Sequence, residues 1–113
     1  MQKFLSTDEG TYLVKLARRA VRTFLTEGRR IKTPRNAPQK LLERRGVFVT
    51  ISKYIVDEET DVRRKILRGC VGYPEPIMPL IEATISSAID AATEDPRFPS
   101  LVPTELNQVL FEV

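Results

Sequence analysis

The stretch LRGCVG, Leu67 to Gly72, holds the chain's single cysteine, Cys70, two positions after Arg68 and between Gly69 and Gly72. A guanidinium beside a thiol favours the thiolate, which is the nucleophilic form. On a regular strand side chains alternate, so Arg68 and Cys70 emerge on one face with Ile66, leaving the backbone about 7 Å apart, while Leu67 and Val71 face the other way. Gly69 and Gly72 would let a ligand or a second strand approach the backbone closely. The chain has no histidine. A cysteine-dependent enzyme built here would therefore rely on a depressed thiol pKa or on a carboxylate base, Glu75 or Asp95. Arg97, on a loop stiffened by Pro96 and Pro99 with Phe98 as an anchor, is the second cation of interest. If Arg68 and Arg97 converge, they form a site for a carboxylate or phosphate.

The same residues admit a structural reading. Free cysteine is among the most buried residue types, paired glycines can mark a bulge, and Arg68 can be held by Asp95 or Glu75. Asp95 can likewise turn the chain and pair with Arg97. GCVG resembles the GxxG of nucleic-acid clamps, but those join helices, whereas this one ends a strand. No dinucleotide fingerprint or P-loop is present, and no cofactor motif follows from the residues.

A third chemistry lies in the charge distribution. Residues 1–46 carry 12 Lys and Arg against 4 Asp and Glu, and residues 73–113 carry 1 against 7. The basic side chains Lys15, Arg18, Arg19, Arg22, Arg29 and Arg30 could attract nucleic acid, or the two halves could attract each other or a second copy. No aromatic residue interleaves with these arginines, so the stacking platform of single-strand binders is missing. Three functions follow as expectations. The first is a binding module whose cleft of Arg68, Gly69, Cys70, Gly72, Glu75, Asp95 and Arg97 takes an anionic small molecule or a protein segment. The second is an enzyme using Cys70, and the third is nucleic-acid association through the basic half.

The elements that must position these residues are legible in outline. Ser6 and Glu9 have capping-box spacing, Leu13, Leu16, Ala17, Ala20, Val21 and Phe24 recur at helical intervals, and Gly28 is a fitting stop. This predicts an amphipathic helix with Lys15, Arg18, Arg19 and Arg22 outward. Pro34 and Pro38 predict an extended linker with at most a helical turn around Lys40 to Arg44. GVFVTISKY predicts a strand from Val47 to about Tyr54, and KILRGCVG a second, antiparallel to it. The acidic tip between them, Asp57, Glu58, Glu59 and Asp61, lacks EF-hand spacing and its glycine, so it reads as a solvated connection and not a calcium loop. Pro76 and Pro79 fit the entry to a second helix ending near Glu94, with Ile77, Leu80, Ile81, Ile85, Ala88, Ile89 and Ala92 as its apolar stripe. DPRFPSLVP reads as a proline-braced loop, and NQVLFEV begins a third strand.

With 113 residues the chain is one domain, long enough for a core without staples. One cysteine and no histidine exclude an internal disulfide and the common structural zinc sites. The absence of a signal-peptide pattern and of any long apolar run predicts a soluble, cytoplasmic protein without membrane contact.

LLERRGVFVTI, LRGCVGYPEPIMPLIEATISSAIDAATEDPRF and the closing LFEV resemble the AMME chromosomal region candidate family, with LRGCVG as its hallmark and the Asp-Pro-Arg-Phe loop as a second signature. The resemblance implies an α+β domain, an antiparallel sheet packed against two amphipathic helices, of a family whose activity is unsettled. Suggestions for it range from transcription, replication, repair or translation to an enzyme with metal-dependent companions. Family members continue well past the point matching Val113, adding strands that complete the fold and part of the cleft. The resemblance thus implies a truncated domain over 1–113, with an exposed terminal strand open to self-pairing.

Overall fold

The computed structural model describes residues 5–113. The first helix, α1 (Thr7–Glu27), starts where Ser6 accepts from the Glu9 backbone N–H and the Glu9 carboxylate accepts from that of Ser6. It stops at Gly28, whose φ of 69° is left-handed and suited to a residue without Cβ. Residues 29–46 form a connector with one 3-10 turn, Gln39–Leu42. Strands β1 (Val47–Val56) and β2 (Arg63–Tyr73) form a hairpin two residues longer at the tip than the sequence pattern predicts. Its turn closes through the Asp57 N–H on the Val62 carbonyl, with Asp61 at a φ of 58°. Helix α2 (Leu80–Thr93) begins directly after Pro79, and the stretch from Pro76 to Pro79 stays outside it. A 3-10 segment (Pro103–Gln108), unforeseen in the sequence, leads into β3 (Val109–Glu112).

The sheet is antiparallel in the order β2-β1-β3. One face is covered by α2, and α1 packs on α2 and reaches β3. The α2 sequence makes this close approach feasible, because Ala83, Ala88, Ala91 and Ala92 present little bulk. At Gly69 nothing larger than hydrogen fits, since a Cβ there would fall on the Ala91 carbonyl oxygen. The apolar face of α1, Leu13, Leu16, Ala20, meets Leu80, Ile81 and Ile85, while Ala17 and Val21 join Val49, Ile51 and Phe111. The opposite face of the sheet has no covering element among the described residues. Phe48 (56 % exposed), Tyr54, Leu67 and Leu110 lie open on it, with Leu67 and Leu110 flanking Ser52 of β1 and Phe48 and Tyr54 further along that strand.

The hairpin register corrects one expectation. Ile51 pairs with Gly69 and Ser52 with Leu67, so Arg68 is an extra residue in a β-bulge. An inserted residue reverses the alternation on one side of it. Gly69 and Val71 face α2, Cys70 and Gly72 face outward as the pattern predicts, but Leu67 turns outward while Ile66 and Arg68 turn to the helix-bearing side. Arg68 and Cys70 therefore do not share a face.

Candidate functional site

Arg68 turns to the helix-bearing side, where its Nε and Nη2 donate to the two Glu105 carboxylate oxygens at 3.0 and 3.1 Å and its Nη1 to the Pro99 carbonyl at 2.9 Å. Its side chain is only 12 % exposed. Lys53 approaches the same carboxylate at 3.8 Å, and Glu105 also accepts from the Val102 N–H. The hydrogen bonds from Arg68 hold the Glu105 carboxyl below its usual range against the opposing effect of burial. The partner is neither Asp95 nor Glu75, the two acids expected from the sequence. Glu75 is exposed on the turn after β2 and its side chain joins no hydrogen bond to the other candidate residues.

Cys70 and Arg97 meet through Asp95. The Asp95 carboxylate, 3 % exposed, accepts from the Cys70 backbone N–H at 3.0 Å and from the Arg97 N–H, Nε and Nη2 at 3.0, 3.0 and 2.8 Å. It thereby plugs the free edge of β2 at the point where Cys70 presents an unpaired amide. The bonds from Arg97 hold Asp95 far below the ordinary carboxylate range, and those to Asp95 raise the guanidinium, with a small further push from Cys70. The Cys70 sulfur sits on the outer face, 3.4 Å from the Thr50 hydroxyl of the paired strand, where either atom can donate. The edge of the Phe48 ring occupies the space above Gly72.

The structure thus links Cys70, Asp95 and Arg97 by hydrogen bonds, whereas Arg68 is bonded to Glu105 and Pro99 and Glu75 joins neither group. Arg68 and Arg97, expected to share an anion, are each paired with a different carboxylate, Glu105 and Asp95. For acid–base work the arrangement is poor: Asp95 is a weak base when held this far below the usual range. No group of His, Cys, Asp and Glu among the described residues is placed to hold a metal ion.

The basic helix also differs from its predicted form. Arg18 points inward across the sheet's end, donating to the Leu106 and Val109 carbonyls at 2.6 and 2.7 Å with its guanidinium 4.9 Å from the centre of the Phe111 ring. Burial and the neighbouring Arg22 lower its affinity for its proton. Its sequence neighbours carry the missed signal, since Val14, Val21 and Leu25 at i−4, i+3 and i+7 extend the apolar stripe over Arg18. Lys15, Arg19 and Arg22 are exposed. Arg29 is paired with Glu27 at 2.9 Å, and Arg30 lies 3.9 Å from Asp90 and over the Phe24 ring.

Two connected grooves lie beside this end of the molecule. One, of about 910 Å³, is bounded by the start of α1, Gly46 to Phe48 and Pro74. The other, of about 490 Å³, runs between α1 and the outer edge of β3. No helix is long and apolar enough to cross a membrane among the described residues.

A three-stranded antiparallel sheet with an LRGCVG edge strand, two helices on one side and an Asp-Pro-Arg-Phe loop clamped to that edge defines an α+β domain of a recognisable class. The chain belongs to the AMMECR1 family, whose model it matches over residues 14–113. It is 58 % identical over 109 residues to a protein of Thermofilum pendens and 47 % identical over 114 residues to one of Methanopyrus kandleri. These alignments span 96 % and 100 % of this chain but 51 % of each relative. The crystal structure of an uncharacterised Pyrococcus horikoshii protein superposes with a TM-score of 0.85 at 43 % identity, covering 95 % of this chain and 50 % of that one. The chain therefore spans about half the length of the relatives it matches.

Proposed function

We propose that this domain is a binding module that receives a polypeptide, with the uncovered face of its sheet as the receiving surface, and that the polypeptide presents apolar side chains to that face. The observation that carries this reading is the contrast between the two faces. The arginines expected to hold a small anion are already paired with Glu105 and Asp95, whereas Phe48, Tyr54, Leu67 and Leu110 stand open on one face of the sheet. Contiguous exposed apolar area on a small domain marks an interaction surface. The anionic-ligand reading would rest on the N–H groups of Arg97 that Asp95 leaves unused, beside a carboxylate that already neutralises the guanidinium. The Cys70 enzyme lacks a competent base beside the sulfur.

Titration of this chain with the unmatched half of the Thermofilum pendens relative, made as a separate polypeptide, tests the reading. Saturable binding with a negative heat-capacity change supports it, and Phe48→Ser should weaken that binding at least tenfold. Stabilisation by phosphate or by phosphorylated metabolites, lost in Arg97→Ala, would favour the anion cleft instead.

A second reading, nucleic-acid association, rests on one observation. Lys15, Arg19 and Arg22 form an exposed row at i, i+4 and i+7 on α1. Retardation of a random oligonucleotide that weakens with salt is its signature.

A further inference from the structure

Part of the hairpin takes no part in the core. β3 pairs with β1 only from Thr50 to Lys53, while β1 and β2 stay paired as far as Val56 and Arg63. Beyond Lys53 the sheet is therefore a two-stranded arm, and from Tyr54 to Leu67 every residue except Ile55 is exposed. The arm lengthens the molecule: its radius of gyration is 14.6 Å, against about 13 Å for a compact domain of this length. A two-stranded ribbon without cover is marginal in water. This one nevertheless holds Tyr54, Val56 and Val62 about half exposed, with Ile66 exposed as well.

The charges of the arm are sorted by position. Tyr54, Ile55 and Val56 on β1 carry none, whereas the paired Arg63, Arg64 and Lys65 on β2 make a basic stem. Asp57, Glu58, Glu59 and Asp61 make the tip acidic. The register puts Tyr54, Val56, Arg63 and Lys65 on the outer face, where the Arg63 guanidinium lies 5.9 Å from the centre of the Tyr54 ring. Among the described residues no ion pair joins tip to stem. Lys65 reaches Glu112 instead, and the Asp57 carboxylate accepts from the Glu59 and Thr60 N–H groups. Stem and tip thus present opposite charges a few residues apart, beside an apolar strip.

A two-stranded ribbon has the right width for the major groove of a duplex, but the four carboxylates at the leading end of this one would meet phosphate. A second copy of the chain raises no such conflict. With two arms laid antiparallel, each tip faces the other's stem, and a two-fold axis makes both contacts at once. Parallel arms would set tip against tip, where like charges oppose each other. We infer that the hairpin arms of two copies of this chain pair antiparallel, burying Tyr54 and Val56 of each and setting the tip carboxylates of one on the Arg63 to Lys65 stem of the other. The inference goes beyond the polypeptide-binding reading and shares only Tyr54 with it. One face of a short ribbon covers less than the roughly 800 Å² per partner of a standard interface, so the dimer is weak and its charges decide the pairing.

Sedimentation equilibrium of this chain over micromolar to millimolar concentrations tests the inference. Self-association that weakens with salt is expected. Glu58→Lys with Glu59→Lys, or Arg63→Glu with Arg64→Glu, should each weaken it at least tenfold. Mixed in equal amounts, these two double variants should associate again, because a cationic tip then meets an anionic stem and an anionic tip a cationic stem. Lys15→Glu with Arg19→Glu makes the same change in net charge away from the arm as the stem variant and should neither weaken association nor restore it in the mixture. All these side chains but Lys15 lie outside the core contacts described above, and unfolding midpoints near the parent's show that the variants fold. A chain that stays monomeric throughout the range overturns the inference, while the Phe48-dependent binding would stand without it. Self-association lost in Phe48→Ser but untouched by the charge variants would place the second copy on the open face and not on the arm. If the chain is monomeric and the stem variant abolishes retardation of a duplex, the arm serves nucleic acid and a second copy is the wrong occupant.

Discussion

Asp95 rather than Cys70 organises the LRGCVG strand. It gathers an edge amide and three donors of Arg97 into one carboxylate, whereas Cys70 shares only a long sulfur–oxygen contact with Thr50. Cys70→Ser, nearly isosteric on a half-buried site, should alter stability by no more than about 1 kcal/mol and leave polypeptide binding intact; loss of binding in that variant would restore the thiol as a functional group. Asp95→Asn should destabilise far more, and with a pH signature. A carboxyl whose folded pKa is depressed contributes stability that is present above its unfolded value, near 4, and is lost as pH falls towards the folded value. Asp95 and Glu105 are both depressed, by Arg97 and Arg68 respectively. Urea midpoints of the parent should therefore fall from pH 5 downward, and Asp95→Asn should start lower at pH 7 and fall less steeply. Parallel curves for the two proteins would show that Asp95 is not the group that titrates.

The strands and helices were legible because their signals are local: a capping box, a helical stripe, a β-branched run, a left-handed glycine. What the sequence hid depends on an insertion and on distant contacts. A single extra residue at Arg68 exchanges its face with that of Leu67; the glycines signal that a bulge can occur here, but which residue is the extra one is decided by the pairing with β1. Glu105, which holds Arg68, is 37 positions away, and its segment reads as a proline-braced loop until the 3-10 turn is seen. Arg18 carries a charge that points to solvent, while the apolar stripe on both sides of it points to the core, and the stripe prevails. These contacts carry measurable stability. Arg68→Ala leaves a part-buried carboxylate without its main partner and should cost about 3 kcal/mol in chemical denaturation. Gly69→Ala should cost at least as much, because its Cβ meets helix backbone that cannot give way. A Gly69→Ala protein of parental stability would mean that α2 can lift from the sheet.

At the scale of the whole molecule, folding divides the charge asymmetry into unequal parts. Of the six basic residues that pointed to nucleic acid, Arg18 is consumed by the Leu106 and Val109 carbonyls, Arg29 is paired with Glu27, and Arg30 lies near Asp90. Lys15, Arg19 and Arg22 remain on one exposed row. Each neutralised duplex phosphate contributes about −0.9 to the slope of log affinity against log salt. The three cations of the α1 row alone therefore contribute about −3 to that slope, short of the 6 to 10 contacts typical of strong electrostatic binders. Arg18→Ala should leave that slope unchanged, while Arg22→Ala should reduce it by about one. Filter binding of a random duplex across a salt series measures both. A slope that responds to Arg18 would mean that Arg18 can leave the Leu106 and Val109 carbonyls for phosphate, opening the strand edge that its guanidinium now closes.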